Sequence, residues 1–266
     1  MRRMVAPALL AALLCAQAPG WRALEPGLDY GLFDGPPGDG DRKIAVVRID
    51  PARFELRLLN ASAPGQNGTL TVRSWAVRAG ASAAINASMY QQDYRTSVSL
   101  MRTREHVNQR RVSKDKAVLA FDPLVSGVPQ ARIVDRECED LAEAEKRYGT
   151  LVQSIRMVSC DRRNVWAQSE RRYSTAAVGV DGKGRILFIH ARTPWTVHDL
   201  VKALLGLPID LAQAMYVEGG AEAQLFVRGG GVEEERIGAF QAAPQAAAYV
   251  QGWPVPNVIA AVRKKK

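Results

Sequence analysis

Hydrophobic and polar residues alternate along several short segments of the chain, a pattern that is typical of β-strands with one buried face. Residues 54–59 (Phe-Glu-Leu-Arg-Leu-Leu) show this alternation shortly after the apolar run 44–49, which an Asp-Pro pair ends. The sequence Asp-Gly-Lys-Gly at 181–184 separates two further apolar segments and predicts a β-hairpin. Together these patterns predict strands or extended segments at 44–49, 54–59, 82–85, 116–121, 131–134, 151–154, 174–180, 185–191, 215–217, 224–227 and 258–262.

Three segments instead have the composition and the flanking residues of helices. Thr196 is placed to act as the N-cap of one of them, and Gly206 is placed to end it. Trp75 lies in a second, short segment that ends near Gly80, and the third segment is charged and amphipathic. The predicted helices cover residues 72–79, 137–148 and 197–205.

Strands outnumber helices in this assignment and do not alternate regularly with them. This distribution predicts an α+β fold, in which a mixed β-sheet is flanked by helices, rather than a doubly wound fold. The sequence contains no internal repeat and no second-domain linker, so we expect a single domain over 42–262. Residues 19–41 are expected to be an irregular lead-in, because Gly, Pro and Asp are frequent there. The triple glycine at 229–231 and the acidic residues 233–235 predict a flexible loop.

The N-terminus has the order of features of a secretory signal peptide. Two basic residues follow Met1, an apolar segment covers 5–16, and Ala16 and Ala18 are spaced like a cleavage site. We therefore predict a signal peptide over 1–18 and a periplasmic or secreted protein, and the Ala- and Arg-rich composition suggests a bacterial envelope. Lipidation at Cys15 and an uncleaved N-terminal anchor are the alternatives.

Composition and charge narrow the class of protein. The chain has 266 residues, of which 47% are hydrophobic and 24% are charged, as in ordinary globular proteins. Its formal net charge is +9, but six basic residues lie in the leader and in the basic tail 263–266, which leaves a surplus of +3 on the body. No nucleic-acid-binding motif accompanies this charge, so we expect no nucleic-acid partner. No apolar run reaches the roughly 18 residues that a stable transmembrane span needs, and nothing indicates the oligomeric state.

Cysteine usage agrees with export. Once the leader is removed, Cys138 and Cys160 are the remaining cysteines, an even pair in an oxidising compartment. We predict a disulfide between them that closes residues 139–159, with two separate buried thiols as the alternative. The three histidines are scattered along the sequence, so we expect no zinc site.

Two segments combine polar side chains with small residues at the ends of predicted strands. In the segment 216–222, Glu218 precedes Gly219 and Gly220, whose backbone N–H groups can face an anion. A carboxylate in this position can act as a general acid or base, or bind sugar hydroxyls. In the second segment, Asn86 emerges from a strand of small residues. Each pattern alone also fits an ordinary turn.

The order and spacing of these segments resemble the phosphodiester glycosidase family, which is related to the lysosomal uncovering enzyme that removes N-acetylglucosamine from mannose-6-phosphate tags. The similar segments are Asn86-Ala87-Ser88-Met89-Tyr90, Leu151-Val152-Gln153-Ser154, 172–179, 214–222 and 256–259, and the resemblance covers about residues 42–262. It implies an exported hydrolase that cleaves the glycosyl–phosphate bond of a sugar-1-phosphodiester, with a sugar-phosphate or glycan as its substrate.

The resemblance also implies a set of site residues. Glu218 would orient the sugar or stabilise the cationic anomeric carbon, and Arg172, with Arg156 or Arg171 as further candidates, would neutralise phosphate oxygens. Glu222 would form an acid/base pair with Glu218. The implied catalytic residues are Glu218, Asn86, Arg172 and Glu222, and the implied substrate-binding residues are Gln153, Ser154, Ser174, Gly219 and Gly220.

Three positions depart from the pattern of the family, and one of them is the second Gly of the Asn motif, which Ala87 or Ser88 replaces. Glu218 stands where the family has Asp, and Glu222 stands where it has Ser. A second carboxylate is unfavourable beside a phosphodiester unless a cation or an arginine compensates its charge. The departures therefore keep a second function open, that of a catalytically lapsed envelope module that binds glycan or phosphate-bearing polymer. We expect no cofactor, although the two carboxylates also allow a divalent cation.

Overall fold

The computed structural model describes residues 20–37, 41–239 and 251–265. The predicted signal peptide, with the alternative lipidation site Cys15, lies outside the described residues, as does Lys266 of the basic tail. Within the described part of the chain, the helices are too short or too polar to cross a membrane.

The described residues form a large β-sheet of eleven strands and a small β-sheet of five strands. The strands of the large sheet are β1 (Trp21–Glu25), β2 (Leu28–Asp34), β3 (Lys43–Ile49), β6 (Met101–Arg102), β7 (Val107–Gln109), β8 (Ala117–Pro123), β9 (Ala131–Asp135), β10 (Tyr148–Val158), β11 (Tyr173–Asp181), β12 (Ile186–Trp195) and β13 (Leu211–Gly219). Those of the small sheet are β4 (Phe54–Asn60), β5 (Ala83–Asn86), β14 (Gln224–Gly229), β15 (Val232–Ile237) and β16 (Asn257–Arg263). The large sheet has the order β1-β2-β3-β12-β11-β13-β10, and the pairs β8–β9 and β6–β7 both join it at β10. The small sheet has the order β15-β14-β5-β16-β4.

The main hydrophobic core lies between the two sheets. On β3, Ala45 and Val47 belong to this core, whereas Ile44 and Val46 belong to a second cluster on the opposite face of the large sheet, because successive side chains of a strand point to opposite faces. Ile85 of β5 contributes to the main core from the small sheet and is fully buried. Full burial of an aliphatic side chain of this size contributes about 1.5–3 kcal/mol.

Three helices cover the outer faces of the sheets within the described residues. Thr71 and Thr196 act as N-caps, each accepting a hydrogen bond from the backbone N–H three residues later at 3.1 Å. Gly80 ends the first helix in the left-handed conformation, with φ of 65°. Trp75 packs against the outer face of the small sheet, and Leu200 packs against the outer face of the large sheet. The helices are α1 (Val72–Ala79), α2 (Leu141–Arg147) and α3 (Val197–Gly206).

The predicted single domain is confirmed, and helices flank the sheets as expected. The predicted mixed α+β architecture is wrong in two respects: the proportion of strand is higher, and the sheets are not mixed. All strand pairs of the described residues are antiparallel, and the domain is predominantly β. Antiparallel neighbours can be joined by short turns such as 181–184, whereas parallel ones need long crossover connections. The described residues contain few helices because antiparallel hairpins need no helical crossover between their strands.

Two segments that we expected to be irregular form strands. The lead-in 19–41 contains β1 and β2, and β2 pairs with β3 from Leu28↔Ile49 to Asp34↔Lys43. The acidic residues 233–235 lie in β15, which pairs with β14 at the edge of the small sheet. Gly, Pro and Asp report local turn preference, and pairing with the neighbouring strand of a hairpin overrides that preference here. Charged residues are suited to an edge strand, because they discourage pairing with other chains.

Cys138 and Cys160 form the predicted disulfide. The backbone N–H of Cys160 donates to the buried carboxylate of Asp135 at 3.0 Å, and Arg156 forms an ion pair with the same carboxylate at 2.7 Å. The cross-link therefore joins the segment before α2 to the segment after β10, next to a buried ion pair.

Loss of the disulfide should lower the free energy of unfolding by about 3 kcal/mol, because the cross-link restricts the unfolded chain over a separation of 22 residues. Urea denaturation of protein from a periplasmic extract, with and without reductant, measures the effect. The double variant Cys138→Ser/Cys160→Ser should match the reduced protein and should not respond to reductant. Identical curves for the oxidised and reduced wild type would contradict this prediction.

Candidate active site

The chain passes from the large sheet to the small sheet at residues 218–223. β13 ends at Gly219, a 3₁₀ turn covers Gly220–Glu222, and β14 begins at Gln224 in the other sheet. Asn86, the last residue of β5, lies against this crossover. The structure thus brings together the two polar segments that the sequence separates by more than 130 residues.

The amide of Asn86 holds the crossover by both of its polar atoms. Its Nδ2 donates to the backbone oxygen of Glu222 at 2.8 Å, and its Oδ1 accepts from the backbone N–H of Gln224 at 2.7 Å. Asn86 is 2% exposed. We therefore revise its expected catalytic role and infer that Asn86 is a positioning residue.

A buried histidine supports the same crossover. His190 Nε2 lies 3.1 Å from the backbone oxygen of Ala223, which also accepts from the N–H of Gly238 at 2.8 Å. Burial lowers the pKa of His190 to about 3, so the ring is neutral at neutral pH, and its proton belongs on Nε2, where it can donate. No sequence pattern indicates this contact, because His190 lies in an otherwise apolar strand.

Both glycines of the segment are required by the geometry. Gly220 has φ of 66°, in the left-handed region that favours glycine. Gly219 has an extended backbone, but a Cβ there would overlap the Tyr216 hydroxyl and come within 3.0 Å of the Tyr173 ring. The N–H of Gly219 donates to Glu218 Oε1 at 3.0 Å. The sequence motif predicts that both glycines bind substrate through their N–H groups, but that of Gly219 is already paired with Glu218.

A β-bulge precedes Glu218. The pairing of β11 with β13 shifts by one residue between Ala177↔Tyr216 and Ala176↔Glu218, which leaves Val217 as the extra residue. Bulges bend a strand, re-aim neighbouring side chains and are frequent next to active sites. The usual alternation of side chains between the two faces of a strand therefore does not predict the face toward which Glu218 points.

The two carboxyl groups of the segment have perturbed acidity. Burial raises the pKa of Glu218 to about 8; the hydrogen bond from Gly219 N–H opposes this shift, and the negative charge of Glu222 adds to it. Burial also raises the pKa of Glu222. A carboxyl group with a pKa of about 8 is roughly nine-tenths protonated at pH 7. Because Oε1 accepts from Gly219, the proton of Glu218 belongs on Oε2, where it can be donated.

Aromatic rings lie beside the carboxyl groups, and no sequence motif assigned them a role. The Tyr216 ring lies 5.4 Å from the Trp166 ring and 6.2 Å from the Tyr173 ring, measured between centroids. Burial and the charges of both glutamates raise the pKa of Tyr90 and of Tyr216. A usable signal was present, since Tyr90, Tyr173 and Tyr216 each lie within or beside a polar motif.

Three further predicted substrate-binding side chains are used within the fold. Gln153 is fully buried and bonds to the backbone of Ser113 with both polar atoms, at 3.0 and 3.1 Å. The Ser154 hydroxyl donates to the backbone oxygen of Tyr216. The Ser174 hydroxyl bonds to the backbone of Ala239 and to the backbone oxygen of residue 192. We infer that these residues hold neighbouring segments in place.

The three arginines expected to bind phosphate differ in their surroundings. Arg172 is exposed and directly precedes Tyr173, and Arg171 is close enough to the Tyr173 hydroxyl to influence its pKa. Among the described residues, neither arginine forms an ion pair with Glu218 or Glu222. Arg156 is committed to Asp135 beside the disulfide, so it is a structural residue.

Other concave or ligand-rich places lie away from the crossover. A cavity of about 660 Å³ lies beside β4, and in the described part of the chain its lining includes residues 103–106 and 121–123 but none of the predicted site residues. Asp135, Cys138 and Cys160 are close enough to share a metal ion, but their sulfur atoms form the disulfide. The candidate site therefore remains the crossover with its two carboxyl groups.

Comparison with known proteins identifies the class. The model of the phosphodiester glycosidase family matches residues 79–262, a range that includes every predicted catalytic residue. The chain belongs to the phosphodiester glycosidase family, which supports a glycosidase-type function.

Solved structures share the fold. One is the catalytic domain of zebrafish N-acetylglucosamine-1-phosphodiester alpha-N-acetylglucosaminidase, auto-inhibited by its pro-peptide, with 12% identity, coverage of 93% of this chain and 87% of that chain, and a TM-score of 0.67. Another is a hypothetical protein from Synechocystis, with 15% identity, coverage of 94% and 65%, and a TM-score of 0.63. None of the curated proteins matches the chain.

Replacing Asn86 by Ala should lower the free energy of unfolding by about 2–4 kcal/mol, because two backbone groups of the crossover each lose a hydrogen bond. Urea denaturation measures the change. The variant Asn67→Ala, at an exposed position, is the matched control and should change it by less than about 0.5 kcal/mol. Equal effects of the two substitutions would overturn the positioning role of Asn86.

The variant Glu218→Gln should melt at a higher temperature than the wild type at pH 9 and at the same temperature at pH 4. The pKa of Glu218 in the folded state lies above its ordinary value of 4.5. The contribution of Glu218 to the stability of the wild type is therefore fully present below pH 4.5 and is lost as the pH rises through about 8. The gain at pH 9 should be on the order of 10 °C, since each pKa unit corresponds to about 1.4 kcal/mol and each kcal/mol to about 2–4 °C.

The exposed Glu105→Gln serves as the control for this measurement and should show no such trend between pH 4 and pH 9. A Glu218→Gln protein that melts below the wild type at pH 9 would show that the ionised carboxylate stabilises the fold.

Proposed function

We propose that the protein hydrolyses the glycosyl–phosphate bond of a sugar-1-phosphodiester at the crossover between the two sheets. The observation that carries the proposal is the pair of carboxyl groups, Glu218 and Glu222, of which burial keeps the first protonated near neutral pH. The family of the chain and the name of its zebrafish structural neighbour support a phosphodiester of N-acetylglucosamine as the first substrate to test.

Burial of Glu218 reduces the charge conflict that the sequence raises. Two ionised carboxylates would repel the single negative charge of a phosphodiester. A protonated Glu218 is neutral and can donate a hydrogen bond from Oε2 to a phosphate oxygen. The remaining charge of Glu222 is opposite in sign to the cationic character that develops at the anomeric carbon.

The proposed reaction breaks the bond between the anomeric carbon and the bridging phosphate oxygen. Glu218 donates its proton toward that oxygen, and Glu222 accepts a proton from the water that attacks the anomeric carbon. The products are the free sugar and a phosphate that keeps its second substituent. Arg172, exposed beside Tyr173, is the candidate to neutralise the phosphate.

Positioning is the role of the polar residues around the carboxyl groups. Asn86 hydrogen-bonds to the backbone of Glu222, and Ser154 hydrogen-bonds to the backbone of Tyr216. Side chains from neighbouring strands therefore fix the backbone at or near both carboxyl groups. Catalytic geometry tolerates displacements of only about 1 Å, which gives these buried hydrogen bonds a functional consequence.

The location we propose is the bacterial envelope, either periplasmic or secreted. The disulfide between Cys138 and Cys160 supports an oxidising compartment, because such bonds rarely persist in the cytosol. The denaturation experiment described above uses protein from a periplasmic extract. Measuring whether Cys138 and Cys160 are oxidised in that extract also tests the proposed location.

A second candidate function is a catalytically lapsed module that binds glycan or phosphate-bearing polymer. The N–H of Gly219 is already paired with Glu218, so the crossover has one fewer donor for a phosphate, while the aromatic rings are suited to sugar binding. Calorimetric binding of the substrate without release of free sugar would select this function.

The replacement Glu218→Gln should lower the rate of sugar release from UDP-N-acetylglucosamine by about 10²–10⁴-fold, because glutamine cannot supply the proton. The wild-type rate should fall as the pH rises above about 8, where Glu218 ionises. A coupled assay for free N-acetylglucosamine over pH 5–10 measures both effects.

The control for the activity measurement is Glu105→Gln, which should retain the wild-type rate and pH profile. Full activity of Glu218→Gln would remove Glu218 from the mechanism, and absence of sugar release by the wild type would leave the binding module as the better description.

A further inference from the structure

A strained and exposed tyrosine lies next to the site. Tyr94 has φ of 54°, in the left-handed region that residues with a Cβ rarely adopt, and the residue is 63% exposed. This conformation is sterically unfavourable, and an exposed ring gains little from burial in return. Strained residues of this kind concentrate at binding sites.

The turn that carries Tyr94 is fixed by hydrogen bonds. The N–H of Tyr94 donates to the backbone oxygen of Gln91 at 3.0 Å, and the Asp93 carboxylate accepts from the N–H groups of Arg95 and Thr96 at 3.0 and 2.9 Å. The side chain of Asn108 also donates to the backbone oxygen of Arg95 at 2.9 Å. The ring is therefore presented on a rigid support, which lowers the entropy lost when a ligand binds.

The ring of Tyr90 connects Tyr94 to the carboxyl groups. The two ring centroids are 5.7 Å apart, with an interplanar angle of 45°. Tyr90 is in turn close enough to Glu222 and Glu218 for their charges to raise its pKa. An aromatic surface thus continues from the candidate active site to the solvent-exposed turn.

We propose that Tyr94 and Tyr90 form a second sugar-binding subsite, which takes a pyranose ring of a glycan that extends beyond the sugar at the carboxyl groups. A pyranose has an apolar face for a tyrosine ring and hydroxyl groups around its rim for polar neighbours such as Asp93 and Arg95. The tilt between the two tyrosine rings forms no parallel slot for a flat nucleobase. The inference rests on the proposed function only in placing the reacting sugar at Glu218 and Glu222.

The substrate class that follows is a phosphodiester whose sugar belongs to an oligosaccharide or polysaccharide, because a single sugar on a small phosphodiester would occupy only the site at the carboxyl groups. Linear tetrasaccharides of N-acetylglucosamine and of glucose, compared with the two monosaccharides, are suitable probes. Isothermal titration calorimetry on the full chain carrying Glu218→Gln measures binding without turnover.

We expect at least one tetrasaccharide to bind this protein about tenfold or more tightly than its monosaccharide, and Tyr94→Ala to remove that difference while Tyr94→Phe keeps it. The variant Tyr94→Gly tests the fold separately, because glycine suits a φ of 54° and should leave the melting temperature unchanged or higher. Val125→Ala, which removes another exposed apolar side chain, should leave binding unchanged.

Equal affinity for tetrasaccharides and monosaccharides, or undiminished length dependence in Tyr94→Ala, would overturn the subsite. Uridine monophosphate binding that depends on Tyr94, without any length dependence for sugars, would overturn it in favour of a nucleobase. Length-dependent binding through Tyr94 in a protein that releases no sugar from UDP-N-acetylglucosamine would reject the proposed hydrolysis and keep the subsite.

Discussion

The hydrogen bonds that hold the crossover between the two sheets are the constraint on which the site depends. Where a chain passes from one sheet to another inside the molecule, its backbone N–H and C=O groups leave the strand pairing but remain shielded from water. Each of these groups therefore needs another hydrogen-bond partner. Asn86 supplies two of these partners and His190 supplies a third, and both side chains are buried. The same hydrogen bonds therefore satisfy the buried backbone and hold the candidate site in place.

The acidity of the site follows from the same burial. A carboxyl group at the end of a surface strand would be ionised at neutral pH, but Glu218 follows a bulge and enters the crossover, where its charged form loses water. Its neighbour Glu222 makes ionisation of the pair still less favourable. Two glutamates at this position are thus compatible with an anionic substrate, because burial keeps one of them neutral.

Local signals in the sequence predicted the elements whose boundaries are set locally. The caps Thr196 and Gly80, the hairpin around 181–184 and the alternation in β4 all depend on residues within a few positions of one another. Pairing with the neighbouring strand, which composition does not report, decides β2 and β15, so their Gly-, Pro- and acid-rich sequences were misleading. The helix predicted over 137–148 is shorter for the same reason, because Tyr148 already belongs to β10 and pairs with Pro123.

The site shows a similar division. Sequence motifs located Glu218, Glu222 and Asn86, and the fold brings them together, but motifs do not show whether a polar side chain faces substrate or its own backbone. Gln153 and Ser174 were predicted to bind substrate, and the structure shows their polar atoms paired with neighbouring backbone. The role of the aromatic rings depends on three-dimensional adjacency between Tyr216, Trp166 and Tyr173, which no single motif contains.

The extra residue Val217 makes the site sensitive to the length of the chain as well as to its composition. Substitutions along β13 alter one side chain at a time and leave the remaining strand in register. An insertion or deletion of one residue before the bulge would instead slide every later position against β11, so that Glu218 would no longer stand opposite Ala176. Natural variation in this strand is therefore expected to proceed by exchange of residues and to conserve their number.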